Sequence, residues 1–294
     1  MQGLSFEFET LVVDNGSQDG TANFLIENRF AFDNIGLRLI CNTENVGLSR
    51  ATEQAYRESK GNWILLCNPD ILFNPSVQRL YDFGIARGDS VVTAELVNED
   101  GTPQRVIHRR FPTVGRVFFD FGYIGAYLDK KLMHSRVRMV YTYQNEVFPG
   151  RVSIESPGGS FLLLNRDIIA KLGFIFDPML PIWWNDVDLA KRAEEAGIRR
   201  ILMSDVKIRH SLARGGSRQM ESVQRRYMFC RSMLLYSKKW RMRPSLVRLL
   251  FFADAIIGVS LLTMASHRKT KAFWRSFKIA MDHAAAQVSA VASA

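Results

Sequence analysis

Short apolar runs alternate with polar, glycine-containing segments along the first part of the chain. Runs of this length between turn residues are typical of buried β-strands, and the segments between them have the spacing of amphipathic helices. The predicted strands span residues 9–13, 37–41, 63–67, 91–96 and 158–164. The predicted helices span residues 22–29, 48–59, 76–86, 166–172 and 186–196. Strands separated by helices predict βαβ units and therefore an α/β fold, a mostly parallel sheet flanked by helices.

The remaining segments have weaker patterns. Residues 106–149 are rich in aromatic and basic side chains without a clear period, so we expect an irregular excursion there. Short strands are predicted at residues 198–203 and 206–208, and helices from residue 220 onward. These patterns predict an α/β domain over residues 1–220 and a helical C-terminal region over residues 221–294.

One late segment, residues 249–265, is apolar apart from Asp254 and small or hydroxylated residues. Its 17 residues lie at the lower limit for crossing a bilayer, and a charge near the middle is costly there. Arg248 and the run His267-Arg268-Lys269 flank it. We therefore expect either an interfacial helix at a membrane surface or a helix packed on the domain. The alanine-rich residues 284–294 are expected to fray.

The composition is that of a globular chain, with 47% hydrophobic and 23% charged residues. The formal net charge of +10 attracts anions. Since no nucleic-acid-binding motif accompanies the basic residues, we expect a phosphate-bearing substrate or an anionic membrane surface and no nucleic acid. The three cysteines have neither metal-ligand spacing nor a disulfide framework, which fits a reducing cytoplasmic location. No signal peptide is evident.

Two aspartates follow apolar strands of the predicted sheet. Asp14 ends the first strand, and Asp70 follows the third in the sequence Asn68-Pro69-Asp70. Ligands of open α/β sheets bind outside the carboxyl ends of the strands, so parallel strands would place both carboxylates at one edge. Asp14 would then bind a base or ribose, and Asp70 a divalent metal such as Mg²⁺. The structural alternatives are an Asx-turn at Asp14 and a simple turn at Asp70.

An anion site is predicted where the second helix begins. Asn45-Val46-Gly47 opens that helix, and Arg50 lies one turn in. A helix N-terminus with a nearby glycine attracts anions, and Arg50 adds positive charge for a diphosphate.

A second acidic motif, Trp183-Trp184-Asn185-Asp186-Val187-Asp188, lies at a predicted helix start. Helix capping is one interpretation, because the helix dipole favours carboxylates there. The functional interpretation is a general base, Asp186, beside a sugar-stacking platform of Trp183 and Trp184. Asp188 would support the helix or the site. His210 follows the last short strand and would bind a metal or phosphate, or have a structural role.

In their order along the chain, these motifs resemble those of the family 2 glycosyltransferases, and within them the bacterial rhamnosyltransferase-like group. The resemblance covers residues 9 to 220. The matching motifs are VVDNGSQDGT (12–21), NTENVGLSRA (42–51), WILLCNPDILF (63–73), NEDGTPQ (98–104), RRFPT (109–113), GGSFLLLNRD (158–167), GFIFDPMLPIWWNDVDLAKRAEEAG (173–197) and IRHSLARGGS (208–217). Each motif alone is weak, whereas the ordered set is specific.

The resemblance implies a GT-A fold and a metal-dependent inverting transferase that uses a nucleotide-diphospho-sugar, with dTDP-rhamnose favoured. It implies that Asp14 contacts the nucleotide base and that Asp186 is the catalytic base. Asp70 would bind Mg²⁺ or Mn²⁺ as the last acid of a DXD-like motif with Asn68 in its first slot, and His210 would bind metal or diphosphate. The other residues that we assign to donor binding or acceptor support are Asn15, Asn45, Gly47, Arg50, Gly159, Trp183, Trp184 and Asp188.

The partners follow from the same resemblance and from the C-terminal region. We expect a lipid-linked glycan as the acceptor, in cell-surface polysaccharide synthesis. The basic and apolar C-terminal region would hold the enzyme at the inner face of the cell membrane. The oligomeric state is left open.

Three departures from the family pattern define an alternative. Only residues 1–10 precede VVDN, so the first βα unit of the family would be absent or replaced, which would leave an open sheet edge. Asn185 replaces the glutamate of an "ED" pair, and Glu53 and Ala55 replace the usual Asn and Gly. The alternative is a catalytically impaired, membrane-associated binding or assembly subunit. A nucleic-acid-binding protein would rest on the positive charge alone.

Overall fold

The α/β class is confirmed by the computed structural model, which describes residues 4–121, 123–180, 182–211 and 222–263. The strands among these residues are β1 (Thr10–Asn15), β2 (Leu37–Asn42), β3 (Trp63–Cys67), β4 (Ile71–Leu72), β5 (Ser90–Val97), β6 (Arg151–Ser153), β7 (Phe161–Asn165) and β8 (Arg199–His210). The α-helices are α1 (Thr21–Glu27), α2 (Leu48–Glu58), α3 (Val77–Arg87), α4 (Val114–Phe121), α5 (Tyr123–Leu132), α6 (Arg136–Tyr141), α7 (Arg166–Leu172), α8 (Asn185–Glu195), α9 (Ser222–Lys239) and α10 (Pro244–Thr263).

The larger of two sheets has the strand order β3-β7-β5-β8-β4, with β6 paired to β8. Strands β5 and β8 are parallel, whereas β7 runs antiparallel between β3 and β5. Strands β3, β5 and β8 therefore run in one direction, as βαβ connections require, and β7 reverses. The two short strands predicted at residues 198–203 and 206–208 are one strand, β8, whose pairing with β5 shifts between Ala94 and Glu95.

Helices cover both faces of this sheet. Alternate residues of a strand point to opposite faces. Val92 and Leu163 accordingly pack with residues of α3, whereas Val91 and Leu164 pack with residues of α7 and α8. Every residue of β5 is buried, and each large apolar side chain buried in such a core stabilises the fold by about 1.5–3 kcal/mol. This core fixes the strand ends at which the predicted site lies.

Strands β1 and β2 form a separate, parallel two-stranded sheet, and α2 packs against β1. Their apolar residues are only partly buried, as are those of β3, which is an edge strand of the larger sheet. Among the described strands, β3 therefore forms one end of the larger sheet. The prediction that Asp14 and Asp70 follow strands of one sheet is wrong, because β1 and β3 belong to different sheets.

Glu9 connects the two sheets just before β1. Its carboxylate accepts hydrogen bonds from the backbone N–H groups of Lys60 and Gly61, three and two residues before β3 begins at Trp63. It also forms an ion pair with Arg38 of β2 at 3.1 Å. This one carboxylate thus joins the amino ends of β1, β2 and β3.

The segment 106–149 is not irregular, which corrects the prediction, because it forms α4, α5 and α6. Gly125 in α5 lies against the backbone of Phe118 in α4, where any Cβ atom would collide. Helices α4 and α5 contact α10, which in turn contacts α9. Residues 111–145 therefore form a second compact unit with the described C-terminal helices. The predicted boundary at residue 220 overlooked this segment.

Helix α10 has one face packed and one face exposed. Asp254 and Ala255 are buried, so this acidic group does not face solvent. The exposed large apolar residues follow one another at helical spacing: Leu246, Leu249, Phe252 and Ile256. Within the described ranges, no helix has the length and hydropathy needed to cross a bilayer. The predictions for residues 212–221 and 264–294, including the run 267–269 and the alanine-rich end, lie outside the described residues.

Candidate active site

Asp70 and His210 meet where two strands of the larger sheet end. Asp70 directly precedes β4, whose first residue, Ile71, pairs with His210 at the end of β8. The Nε2 atom of His210 lies 3.2 Å from Oδ1 of Asp70, and their side chains are only 4% and 6% exposed. Oδ1 of Asp70 is buried and has no hydrogen-bond partner among the described residues. The two predicted metal ligands are therefore adjacent and directed at each other.

The thiol of Cys67 lies close to this pair and is protonated in the metal-free protein. Burial raises the pKa of the Cys67 thiol to about 12, and the negative charge of Asp70 adds to the effect. By its surface area the residue is exposed. Since this pKa lies far above neutral pH, the Cys67 thiol stays protonated at neutral pH when no metal is bound.

A short turn connects the Asp70 corner to Asp186. Asn68 donates from its backbone N–H to the carbonyl oxygen of Ser160 (2.9 Å) and from Nδ2 to the Ser160 hydroxyl (3.2 Å). The neighbouring Gly159 donates its N–H to Oδ2 of Asp186 at 3.2 Å. A Cβ atom on Gly159 would lie 3.3 Å from Cβ of Asp186, so a larger residue would crowd the carboxylate. Asn68 therefore positions the turn that holds Asp186.

Asp186 lies in the first turn of α8, as predicted. Its Oδ1 accepts a hydrogen bond from the N–H of Val187 at 2.9 Å. Trp184, which caps this helix with a φ of 70°, is 1% exposed, so its ring belongs to the core. The predicted two-ring platform is corrected, because Trp184 is buried and, of these two rings, Trp183 alone is partly exposed.

Asp188 supports the helix rather than the reacting groups. It is fully buried and pairs with Nε of Arg192 at 2.9 Å. Arg192 also donates to the carbonyl oxygens of Phe174 and Ile175, at 2.7 Å each. This network ties α8 to the segment that follows α7 and holds the start of α8 in place.

The predicted donor residues gather around the start of α2. Oδ1 of Asn15 accepts from the N–H of Val46 (3.0 Å), and Nδ2 of Asn15 donates to Oδ1 of Asn45 (2.9 Å). Oδ1 of Asn45 also accepts from the N–H of Gly47 (2.9 Å), which caps α2. The two asparagines thus shape the loop that leads into α2. Arg50, in the first turn, is exposed.

Asp14 forms the turn that its alternative interpretation predicted. The residue is 6% exposed, and its Oδ2 accepts a hydrogen bond from the N–H of Ser17 at 3.1 Å. Gly16, next in this turn, has a φ of 78°, and a Cβ atom there would lie 2.8 Å from the backbone carbon of Glu44. Glycine is therefore required for β1 and the loop before α2 to approach so closely.

One buried contact joins the donor residues to the Asp186 region. Ser49, in the first turn of α2, donates its hydroxyl to the carbonyl oxygen of Leu180 (2.7 Å). Nδ2 of Asn185 donates to the Ser49 hydroxyl oxygen at 3.2 Å. Asn185 directly precedes Asp186. Most of the residues assigned from the sequence therefore lie on one hydrogen-bonded frame, which runs from Asn15 through α2 and α8 to Asp70 and His210.

Several residues of this frame were missed by the sequence analysis. Ser49, Ser160 and Gln104 lie within motifs that carried the resemblance, but none was assigned a role. His108 was also missed. It is fully buried and accepts a hydrogen bond on Nδ1 from the N–H of Gly158 at 3.2 Å, one residue before Gly159. In the part of the chain that the structure describes, no group of three or more His, Cys, Asp or Glu side chains could hold a metal ion.

One family model matches this sequence. The model for glycosyl transferase family 2 matches residues 4–164, which is more than half of the chain. No curated protein matches.

Several solved structures are similar to this chain at low identity. GalNAc-T7 with UDP, GalNAc and Mn²⁺ is 13% identical, with 69% of this chain and 37% of that chain covered and a TM-score of 0.48. The mannosyltransferase PcManGT from Pyrobaculum calidifontis, in complex with GDP-Man and Mn²⁺, is 15% identical, with 92% and 70% covered and a TM-score of 0.47. S. aureus TarS 1-349 is 14% identical, with 80% and 65% covered and a TM-score of 0.45. The chain thus spans little more than a third of the length of GalNAc-T7.

Proposed function

This chain belongs to glycosyl transferase family 2, and we propose that it transfers a sugar from a nucleotide-diphospho-sugar donor to an acceptor hydroxyl with inversion at the anomeric carbon. The observation that carries this proposal is the hydrogen-bonded frame that holds Asp186 beside the Asp70 corner. Sugar transfer needs a base for the acceptor and positive charge at the departing diphosphate. The frame brings residues suited to both tasks to one end of β3 and β7.

Asp186 is the proposed base. The acceptor oxygen forms a bond to the anomeric carbon while the bond from that carbon to the diphosphate breaks, and the electron pair leaves with the diphosphate. Asp186 takes the acceptor proton. Each of its oxygens accepts one backbone hydrogen bond, from Gly159 or Val187, which fixes the carboxylate and leaves lone pairs for the acceptor.

The Asp70 corner fits a divalent cation. Oδ1 of Asp70 is buried without a hydrogen-bond partner among the described residues, and Nε2 of His210 lies beside it. Carboxylate oxygen and imidazole nitrogen are ligands for Mn²⁺-like ions, and ions of this class complete their shells with phosphate oxygens and water. When bound, the metal would neutralise charge on the diphosphate. Asp14, Asn15 and Asn45 would position the nucleotide, and Arg50 would add positive charge.

Calorimetric titration with dTDP and UDP, each with and without Mn²⁺, tests the donor part of this proposal. We expect Mn²⁺-dependent binding of at least one of them. Binding of neither would favour the alternative of a non-catalytic subunit. The resemblance makes dTDP-rhamnose the first donor for transfer assays.

Asp186→Asn tests the catalytic part. Loss of the general base should lower kcat by about 10²–10⁴-fold while Mn²⁺-dependent nucleotide binding persists. Asp167→Asn is the matched control, because Asp167 is an exposed acid in the first turn of another helix, α7. Transfer at the wild-type rate in Asp186→Asn would remove Asp186 from this role.

We also propose that the acceptor is lipid-linked and that α10 rests on the cytoplasmic face of the membrane. The exposed apolar residues of α10 lie on one helical face, with Leu249 the most exposed of them at 59%. Basic residues precede the helix and would attract anionic headgroups: Lys238, Lys239, Arg241 and Arg243. An apolar helical face flanked by basic residues is typical of an interfacial helix.

Cosedimentation with vesicles of phosphatidylcholine and phosphatidylglycerol tests this attachment. The double variant Leu249→Ser and Phe252→Ser should bind at least ten-fold more weakly, because each large apolar side chain contributes about 1.5–3 kcal/mol on burial. Ile85→Ser is the control, since Ile85 is an equally exposed apolar residue on α3. Unchanged sedimentation of the double variant would contradict the proposal.

A further inference from the structure

We propose that Gln104 is a positioning residue that holds the His210 imidazole in the tautomer with its proton on Nδ1. The Nε2 lone pair then faces the Asp70 carboxylate. The use of this lone pair as a metal ligand rests on the proposed function, whereas the tautomer itself does not. The argument depends on the direction of a chain of hydrogen bonds.

The Gln104 amide can be oriented in only one way. Its Nε2 lies 2.7 Å from the carbonyl oxygen of His210 and 2.8 Å from Oδ1 of Asn98. A backbone carbonyl can only accept, so the NH₂ end of the amide must face it. The other end, Oε1, can only accept. It lies 2.8 Å from Nδ1 of His210, and this ring nitrogen must therefore carry a proton.

The other end of this chain of hydrogen bonds fixes the same direction independently. The carboxylate of Asp100 accepts from the hydroxyl of Thr102 at 2.6 Å. Because the Thr102 hydroxyl proton is used in that bond, the Thr102 oxygen can only accept from Nδ2 of Asn98, at 2.9 Å. Oδ1 of Asn98 is then the end that faces Gln104. A carboxylate at one end and a carbonyl at the other thus fix which atom donates and which accepts in every hydrogen bond between them.

The turn that carries this chain places Gln104 beside the end of β5. The N–H of Asn98 donates to the carbonyl oxygen of Thr102, and Val97 forms a bridge with Pro103. Gly101, with a φ of 82°, closes the turn. The Gln104 N–H then donates to the carbonyl oxygen of Leu96 at 2.8 Å. Gln104 is 3% exposed, so neither end of its amide is open to bulk water.

The consequence appears at the far side of the His210 ring. In a neutral ring with its proton on Nδ1, Nε2 has only a lone pair, and this atom lies 3.2 Å from Oδ1 of Asp70. Two acceptors so close together and shielded from solvent repel each other, and a cation between or beside them would relieve this repulsion. A metal-ligating histidine is oriented by the partner of its other ring nitrogen, and Gln104 supplies that partner here. The NEDGTPQ motif would therefore serve to place Gln104 beside His210.

Nitrogen-15 NMR of the histidine-labelled, metal-free protein tests the tautomer directly. Spectra recorded at alkaline pH, where imidazoles carry a single proton, distinguish Nδ1–H from Nε2–H by the nitrogen shifts and two-bond couplings. The signal of His210 is assigned by its loss in His210→Gln. We expect Nδ1–H in the wild type. We expect the same tautomer in Asp70→Asn, because Gln104 and not Asp70 selects it.

Gln104→Leu removes the selecting group. His210 should then turn to the Nε2–H tautomer and donate to Asp70, and Mn²⁺ affinity measured by electron paramagnetic resonance should fall about 10–100-fold. Gln78→Leu, on α3, is the matched control and should change neither readout. An Nε2–H ring in the wild type would overturn the inference, as would Mn²⁺ affinity in a folded Gln104→Leu equal to that of the wild type. The NMR measurement uses no donor, so a failure of sugar transfer would leave its outcome intact.

Discussion

Acidification should destabilise this protein through His108, and the effect can be separated from that of every other titrating group. Burial, followed by the charges of Arg105 and Arg109, lowers the pKa of His108 to about 3 in the folded chain. The unfolded chain binds the proton with the ordinary histidine pKa near 6.5. Between these values only the unfolded state is protonated, so stability is intact above pH 6.5 and is lost as the pH falls.

The magnitude follows from the size of the pKa difference. One bound proton changes the free energy of unfolding by about 1.4 kcal/mol per pH unit over the window in which the two states differ. Between pH 6.5 and pH 4.5, His108 alone should therefore remove about 3 kcal/mol. That loss is a large fraction of the total stability of an ordinary domain, about 5–15 kcal/mol.

Urea unfolding at several pH values between 4.5 and 7.5 measures this contribution against two variants. His108→Asn keeps an acceptor for the N–H of Gly158, and His108→Leu keeps only the bulk. Neither side chain titrates, so both variants should have a pH slope shallower than that of the wild type by about 1.4 kcal/mol per unit, whatever their absolute stabilities. Carboxylate titration is common to all three proteins and cancels. Equal slopes in the wild type and both variants would refute the reasoning.

Three further predictions concern the fold around the site. Gly16→Ala should destabilise the chain by more than the ~1 kcal/mol typical of a strained glycine replacement, because its Cβ atom would also collide with the Glu44 backbone. Thermal unfolding of this variant and of the Gly20→Ala control, where a Cβ atom meets nothing, measures the difference in stability. Glu95→Ala should cost about 3–5 kcal/mol in urea unfolding by leaving the largely buried Arg105 guanidinium without its ion-pair partner, and a Glu95→Ala variant as stable as the wild type would contradict this. The rate of Cys67 alkylation should still rise ten-fold per pH unit from pH 8 to pH 10, because its raised pKa keeps most of the thiol protonated there. Mass spectrometry of the modified peptide measures this rate, and a rate that levels off in that range would contradict the raised pKa.

The sequence predicts a strand well where the strand's own residues form an apolar run bounded by turn residues. Strands β1, β3 and β5 are apolar runs that end in turn residues, and hydrophobic periodicity is enough to locate them. The two-residue strand β4 has no pattern of its own and exists because Ile71 and Leu72 pair with the end of β8. Helices α4 to α6 were missed because they pack mainly on one another, as Gly125 of α5 does on Phe118 of α4, and such contacts between short helices are not visible in a local pattern.

The site was predictable in its residue types and less so in its geometry. Asp70, Asp186 and His210 could be named because each follows a strand or opens a helix within a motif. The division of the strands into two sheets could not be predicted, since strand pairing is a long-range property that no local pattern encodes. Gln104 could not be singled out either, because its role depends on where the turn returns the chain relative to β8.

The separate pair of strands, β1 and β2, has a consequence for how the donor would bind. Two strands alone are marginally stable, and these are only partly buried, so we expect their amide hydrogens to exchange much faster than those of β5 and β7. The proposed nucleotide residues Asp14 and Asn15 lie on this pair. If this strand pair opens locally, only its closed form binds the nucleotide, and the apparent affinity is lowered in proportion to the open fraction. Donor affinity in this protein would thus be set by the local stability of one strand pair as much as by contacts to the nucleotide, and nucleotide binding should appear first as slowed hydrogen exchange in residues 10–15 and 37–42.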